Sequence, residues 1–115
     1  MDDILRVEVQ SLNGSTLVTV IGEVDACSML ALKAPLDELS LERRIFVDMS
    51  RVRFMDSSGL QVILTQRMRM IEHGGSIYIC RPSSAVARLV KVAGLDRVLY
   101  PPDEVVLPAS YVEAG

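Results

Sequence analysis

The chain has 115 residues, of which 50% are hydrophobic, 23% are charged and 4% are aromatic, and its formal net charge is −3. This length and apolar content suit one domain with its own core and exclude a disordered tail or linker. The acidic balance and the few aromatic rings argue against direct binding of nucleic acid, because phosphate backbones select cations and single strands select stacking platforms.

The N-terminus and the lengths of the apolar runs indicate the cellular location that we expect. No apolar run approaches the ~20 residues that cross a bilayer. The chain starts with Met1-Asp2-Asp3, which is acidic where a signal peptide is basic. We therefore expect a cytoplasmic protein with no membrane contact.

The first elements in the chain predict a β-hairpin. Residues 5–10 alternate apolar and polar side chains, which is typical of a half-buried strand. Asn13-Gly14 follows and favours a tight turn, because both residues tolerate positive φ. Residues 16–22 are nearly all apolar and so predict an antiparallel partner strand in the interior of the sheet.

A helix and a third strand are expected next. Asp25 is a candidate N-cap, and apolar side chains at helical spacing continue from there to about Leu39. Pro35 lies inside this pattern and predicts a kink, because proline removes a helical hydrogen bond. The apolar run of residues 45–50 predicts the third strand.

The longest helix is expected after a polar loop. Ser57 and Ser58 open it, and it runs from about Gly59 to His73. Gly74-Gly75 ends it, as glycine commonly does at a helix C-terminus. The predicted apolar side of this helix consists of Leu60, Ile63, Leu64 and Ile71.

The last third of the chain predicts a strand, a helix and a short edge strand. Residues 76–80 form the fourth strand, and the helix begins at residues 82–84 and ends at Gly94. Residues 98–100 are expected to form the edge strand. Residues 103–115 contain proline and no helical periodicity, so we expect a loosely held tail.

Together these elements predict one small α/β domain. Helices that alternate with strands require parallel pairing through right-handed crossovers. We expect a mixed, mostly parallel sheet of about four to five strands, with an N-terminal β-hairpin and about three to four helices. A single domain then spans residues 1–115, with its core at about 5–100.

The segment from Val52 to Leu60 carries the clearest functional signal. It lies where a strand ends and a helix begins, at the carboxyl edge of the sheet, where binding sites of open α/β sheets gather. A serine pair at a helix start also has a structural explanation, because one hydroxyl caps the helix. The buried strand before it needs no function either.

Four segments in register support a more specific interpretation. Phe54-Met55-Asp56-Ser57-Ser58-Gly59-Leu60 resembles the signature of the STAS-domain anti-sigma factor antagonists, also called anti-anti-sigma factors. Gly22-Glu23-Val24-Asp25 is similar to the family's segment after the second strand. Pro82-Ser83-Ser84-Ala85-Val86 and Gly94-Leu95-Asp96 are similar to its third helix and exit. The resemblance covers nearly the whole chain.

This resemblance implies a partner-switching regulator of transcription, not an enzyme. In the family, the unmodified antagonist binds an anti-sigma factor and frees a sigma factor. The anti-sigma factor is commonly also a serine kinase, which uses ATP and Mg²⁺, and a phosphatase reverses the modification. The antagonist itself then needs no cofactor and no metal.

The family pattern places the phosphorylated serine at Ser58. It makes Ser57 the neighbour or the helix cap, and Asp56 the carboxylate that flanks the acceptor. The expected partner surface consists of this motif and nearby polar positions: Glu23, Asp25, Asp56, Ser57, Ser58, Gly59 and Gln61.

Other functions compete with this interpretation. A STAS subunit of another signalling or transport assembly would keep the fold and change the partner. A thiol redox sensor would need Cys27 and Cys80 within ~7 Å of each other, although two buried, inert thiols are the usual state in the cytosol. A serine hydrolase lacks a base, because the single histidine, His73, lies roughly 20 Å along the helix from Ser58.

Overall fold

The computed structural model describes residues 5–108 of the chain. The strands are β1 (Arg6–Leu12), β2 (Ser15–Val24), β3 (Arg44–Met55) and β4 (Ser76–Cys80). The helices are α1 (Met29–Asp37), α2 (Ser57–Ile71), α3 (Ser84–Ala93) and α4 (Asp96–Leu99). One sheet has the order β1-β2-β3-β4, in which β1 is antiparallel to β2 and the other pairs are parallel. The predicted mixed sheet with an N-terminal hairpin is confirmed.

The hairpin forms where the sequence predicts it. Leu12 pairs with Ser15 across the turn, and Gly14 has a φ of 85°, which is accessible to glycine without strain. β2 alternates half-buried and buried residues over all ten positions and lies between β1 and β3. The prediction of an interior strand is therefore confirmed.

Two clusters of apolar side chains cover the two faces of the sheet. All four helices contribute to the larger cluster, for example through Leu32, Ile63, Val90 and Leu99. The smaller cluster lies on the opposite face and contains Phe46, Cys80, Leu17, Tyr78, Val105 and Leu107. The helices therefore form one layer, and the C-terminal segment covers part of the other face.

The third strand is longer than predicted. β3 extends to Met55, so residues 51–55 are strand and not a polar loop. Val52 is buried between exposed Arg51 and Arg53, which is the alternation of a strand with one solvated face. Register shifts in the β2–β3 pair keep this strand paired as far as Val24 and Met55.

The segment predicted as a final edge strand is helical. Residues 96–99 form α4, in which the backbone N–H groups of Val98 and Leu99 donate to the carbonyl of Leu95. One turn of helix places Leu99 in the main core, where its side chain is fully buried. The prediction of a strand at residues 98–100 is therefore wrong, because three apolar residues do not distinguish a strand from a helical turn.

The predicted tail is described only in part. Val105 and Leu107 are half-buried against the cluster around Phe46 and Tyr78. Residues 109–115 lie outside the described residues, so the prediction of a loosely held tail stays a prediction there.

The buried side of α2 differs from the predicted one. Leu60 and Ile63 are buried as expected, whereas Ile71 is 54% exposed. Gln66 is buried instead and donates from Nε2 to the carbonyl oxygen of Leu36 at 3.3 Å. α2 contacts α1 as well as the sheet, so its buried stripe is wider than one apolar face predicts.

Within residues 5–108, no helix combines the length and the apolar character that crossing a bilayer requires.

Candidate functional site

Asp56 is the N-cap of α2. Its backbone is extended, and its carboxylate Oδ1 accepts a hydrogen bond from the backbone N–H of Ser58 at 2.8 Å. Its own N–H donates to the carbonyl of Val24 at 3.1 Å, which ties the start of α2 to the end of β2. The helix begins at Ser57, two residues before the predicted start at Gly59, and Ser57 is the neighbour of the cap, not the cap.

Capping by Asp56 leaves both serine hydroxyls available for other contacts. Ser57 is exposed and Ser58 is half-buried at the first and second positions of α2. Within residues 5–108, neither hydroxyl is engaged in a hydrogen bond. The helix N-terminus presents the positive end of its dipole here. The Ser58 hydroxyl therefore takes no part in the cap and lies at the positive end of this dipole.

Gly59 lets the start of α2 pack directly on the sheet. A Cβ at this position would lie 2.7 Å from Met55 Cγ and 2.7 Å from Val24 Cγ1. Because real Cβ atoms do not approach this closely, a side chain at this position would force Met55, Val24 or α2 itself to shift. Gly59 is itself buried, and its close packing fixes the position of the neighbouring serines relative to the sheet.

Replacing Gly59 with alanine tests this packing. In an open helix, Gly→Ala stabilises a protein by about 0.5–1 kcal/mol. We expect Gly59→Ala to lower the free energy of unfolding by about 1–3 kcal/mol instead, because the added methyl group overpacks the contact with Met55 and Val24. Urea unfolding of both proteins measures the difference. A stabilised variant would contradict the close packing.

Asp25 caps a turn, and the prediction that it is the N-cap of α1 is wrong. Its Oδ1 accepts hydrogen bonds from the backbone N–H groups of Cys27 and Ser28, both at 3.0 Å. The hydrogen bond from the backbone of Ser28, followed by the one from its hydroxyl, lowers the pKa of Asp25 below its usual value. α1 begins only at Met29, because aspartate readily closes a local turn with the residues that follow it.

Glu23 lies at the same edge of the sheet. It pairs with Phe54 of β3 in the strand register, and its Oε2 lies 3.7 Å from Arg53 Nη2. The hydrogen bond from Asp56 to Val24 places the 23–25 segment beside the start of α2. The structure therefore brings the predicted residues of β2 and α2 together at the carboxyl edge of the sheet.

A groove between α1 and α2 begins at the two serines. We call it the helix groove; its volume is about 800 Å³, and Ser57, Ser58 and Gln61 line it on the α2 side. Gln61 is exposed and donates from Nε2 to Thr65 Oγ1 at 3.2 Å. The predictions from sequence did not include this groove, because its other wall comes from α1.

Charged side chains gather in the helix groove away from the serines. Asp37 of α1 accepts hydrogen bonds from Lys33 Nζ at 2.6 Å and from Arg69 Nη1 of α2 at 2.9 Å. These bonds, with that from Lys33 the strongest, hold the pKa of Asp37 below its usual value. The spacing of Lys33 and Asp37 by four residues is a recognisable helix pair. Nothing in the sequence predicts the hydrogen bond from Arg69 to Asp37.

The two cysteines do not form the redox pair that one alternative requires. Both are free thiols; Cys80 is buried and Cys27 is exposed. Burial, and next the charge of Asp48, raise the pKa of Cys80 to about 12. In the strand register Cys80 pairs with Asp48, and Asp48 pairs with Thr19. Val24 lies about 16 Å further along β2 than Thr19. Cys27 follows Val24 in the chain and therefore lies far from Cys80. The expectation that both thiols are buried is therefore confirmed for Cys80 and wrong for Cys27.

A family pattern and a curated relative indicate the family of the chain. The pattern of the STAS domain matches residues 6–107. The anti-sigma F factor antagonist of Paenibacillus polymyxa is 30% identical over 99 residues, which cover 83% of this chain and 84% of that protein. The crystal structure of an anti-sigma factor antagonist from Mycobacterium paratuberculosis superposes with a TM-score of 0.74 at 24% identity, covering 99% of this chain and 96% of that one. The structure of the Bacillus protein SpoIIAA in its phosphorylated form superposes with a TM-score of 0.67 at 16% identity, covering 95% and 98% of the two chains.

Proposed function

The chain belongs to the STAS domain family of anti-sigma factor antagonists, and on that premise we propose that it binds an anti-sigma factor and thereby frees a sigma factor for transcription. The observation that carries the proposal is the geometry of Ser58. Asp56 caps α2, so the Ser58 hydroxyl is not needed for capping, and Ser58 lines the helix groove. The neighbouring carboxylates of Glu23 and Asp25 extend the proposed contact surface along the same edge.

Phosphorylation of Ser58 is the proposed switch. The anti-sigma factor is the proposed kinase and supplies ATP and Mg²⁺, so the chain itself uses no cofactor and performs no catalysis. A phosphatase restores the binding form. The proposed location is the cytoplasm, where sigma factors meet RNA polymerase. The phosphorylated form named for the Bacillus structural neighbour supports a phosphorylated state for this fold.

A reconstituted transcription assay tests this function. The anti-sigma factors encoded in the same genome are purified and added singly to a sigma-dependent transcription reaction until transcript falls to background. We expect this chain to restore transcript at about equimolar amounts with one of them, and the pair to form a complex in isothermal titration calorimetry. Incubation of that pair with ATP and Mg²⁺ should add one phosphate, which peptide mass spectrometry should place on Ser58.

Two results would contradict the proposal. Failure to bind any of these anti-sigma factors would remove the proposed partner class. Binding followed by phosphate on a residue other than Ser58 would keep the partner and overturn the switch.

A further inference from the structure

We propose that the helix groove receives a segment of the anti-sigma factor that carries both an apolar side chain and a carboxylate. The inference rests on the proposed function and adds the chemistry of the partner segment. Three features support it: the lining of the floor, the charges at one end and the serine at the other.

The floor of the groove is apolar. Leu36 is fully buried, Val62 is 7% exposed, and Met29 adds a half-buried side chain. The volume of the groove, about 800 Å³, lies within the ~300–1,000 Å³ range of pockets that bind small ligands. An apolar side chain of a partner would gain free energy from burial here, at about 25 cal/mol for each Å² removed from water.

The charges favour a carboxylate. Among the residues that line the groove, the charged ones are Lys33, Asp37 and Arg69, which leave a single net positive charge. An ammonium group carries three donors and a guanidinium group five, so the one carboxylate of Asp37 cannot saturate both. Arg69 uses Nη1 for Asp37 and for Gln66, and Lys33 uses one bond to Asp37. A second carboxylate would therefore meet donors on both cations.

Phosphorylation would reverse this preference. A phosphoserine adds about 1.5–2 negative charges, which exceeds the net charge of the lining residues. A phosphate on Ser58 would also fill the serine end of the same groove. Both the added negative charge and the filled space would weaken the binding of an acidic segment. Phosphorylation of Ser58 would therefore lower the affinity for the partner without any change of fold.

Thr65 provides a test at a position that can change without disturbing the core. It is exposed, lies on α2 between Ser58 and Arg69, and lines the groove. Thr65→Glu and Thr65→Gln add nearly the same volume, and their main difference is the negative charge of the carboxylate. We expect the Kd for the anti-sigma factor to be at least about tenfold weaker for Thr65→Glu than for Thr65→Gln, since like charges repel in a desolvated contact. The difference should shrink as salt rises.

Met68→Glu is the matched control. Met68 is 67% exposed on the same helix and does not line the groove. We expect this variant to bind as the original protein does. Equal affinities for Thr65→Glu and Thr65→Gln, in a protein that binds its anti-sigma factor, would overturn the acidic occupant and leave the proposed function standing. Absence of binding by the unmodified chain would instead remove the proposed function.

Discussion

Phosphorylation of Ser58 is expected to weaken binding to the anti-sigma factor by about a hundredfold or more, with no change of fold. A charge of this size at a helix N-terminus is tolerated locally, with an effect of about 0.3–1 kcal/mol. When the partner excludes water from the same charge, the free energy of binding becomes less favourable by several kcal/mol. Each ~1.4 kcal/mol changes the Kd tenfold. The half-buried position of Ser58 on the groove places the phosphate inside the proposed contact.

Calorimetric titration of the unmodified and the phosphorylated protein measures this loss. Ser58→Ala should bind normally and resist inactivation by ATP, and Ser58→Asp should bind more weakly, although one carboxylate carries less charge than a phosphate. Ser84→Asp is the control, because Ser84 is an exposed residue in the first turn of α3 and lies outside the groove. Unchanged affinity in both the phosphorylated protein and Ser58→Asp would refute the switch.

Gly75→Ala is expected to cost about 3 kcal/mol or more of folding stability, because the added methyl group has no space. A Cβ on Gly75 would lie 2.2 Å from the carbonyl oxygen of Leu41 and 2.7 Å from that of Arg43. Both atoms belong to the backbone that leads into β3, so no side-chain rotation relieves the clash. Ser76 also donates its N–H to the carbonyl of Arg43 at 3.1 Å.

Arg43 adds a second restraint on the same backbone. Its guanidinium Nη2 donates to the carbonyls of Leu12 and Ser15 and so ties the entry of β3 to the hairpin. The segment that Gly75 contacts is therefore held by β4 and by the β1–β2 turn together. A shift that accommodated an alanine would break bonds in both places.

Gly74→Ala is the matched control for this prediction. Gly74 has a φ of 82° and no heavy atom within 4 Å of its Cβ position. Alanine at position 74 should lower the free energy of unfolding only by the strain of positive φ, about 1 kcal/mol. Guanidinium unfolding of the two variants compares the costs at neighbouring residues. Equal losses would show that backbone conformation, and not the contact with Leu41, determines the requirement for glycine.

The hairpin turn and both ends of α3 were predictable because their chemistry is local. Asn13-Gly14 forms the hairpin, Ser83 caps α3 by accepting a bond from Val86 N–H at 3.2 Å, and Gly94 ends it with a φ of 72°. Each of these groups meets its partner within three or four residues. Aspartate and serine share the ability to cap, however, so the pattern at residues 56–58 predicted a helix start near Gly59 and did not identify Asp56 as the cap.

The sequence by itself determined the order of most elements and the position of Ser58 at a helix start, since local hydrogen bonding and apolar periodicity encode them. The resemblance of its motif segments indicated the family. Only the tertiary structure decided which side chains meet across that order. Arg69 reaches Asp37 across 32 residues, and Gly75 approaches Leu41 across two elements. Such contacts depend on how α1, α2 and the sheet pack, because no spacing within one element constrains a residue on another.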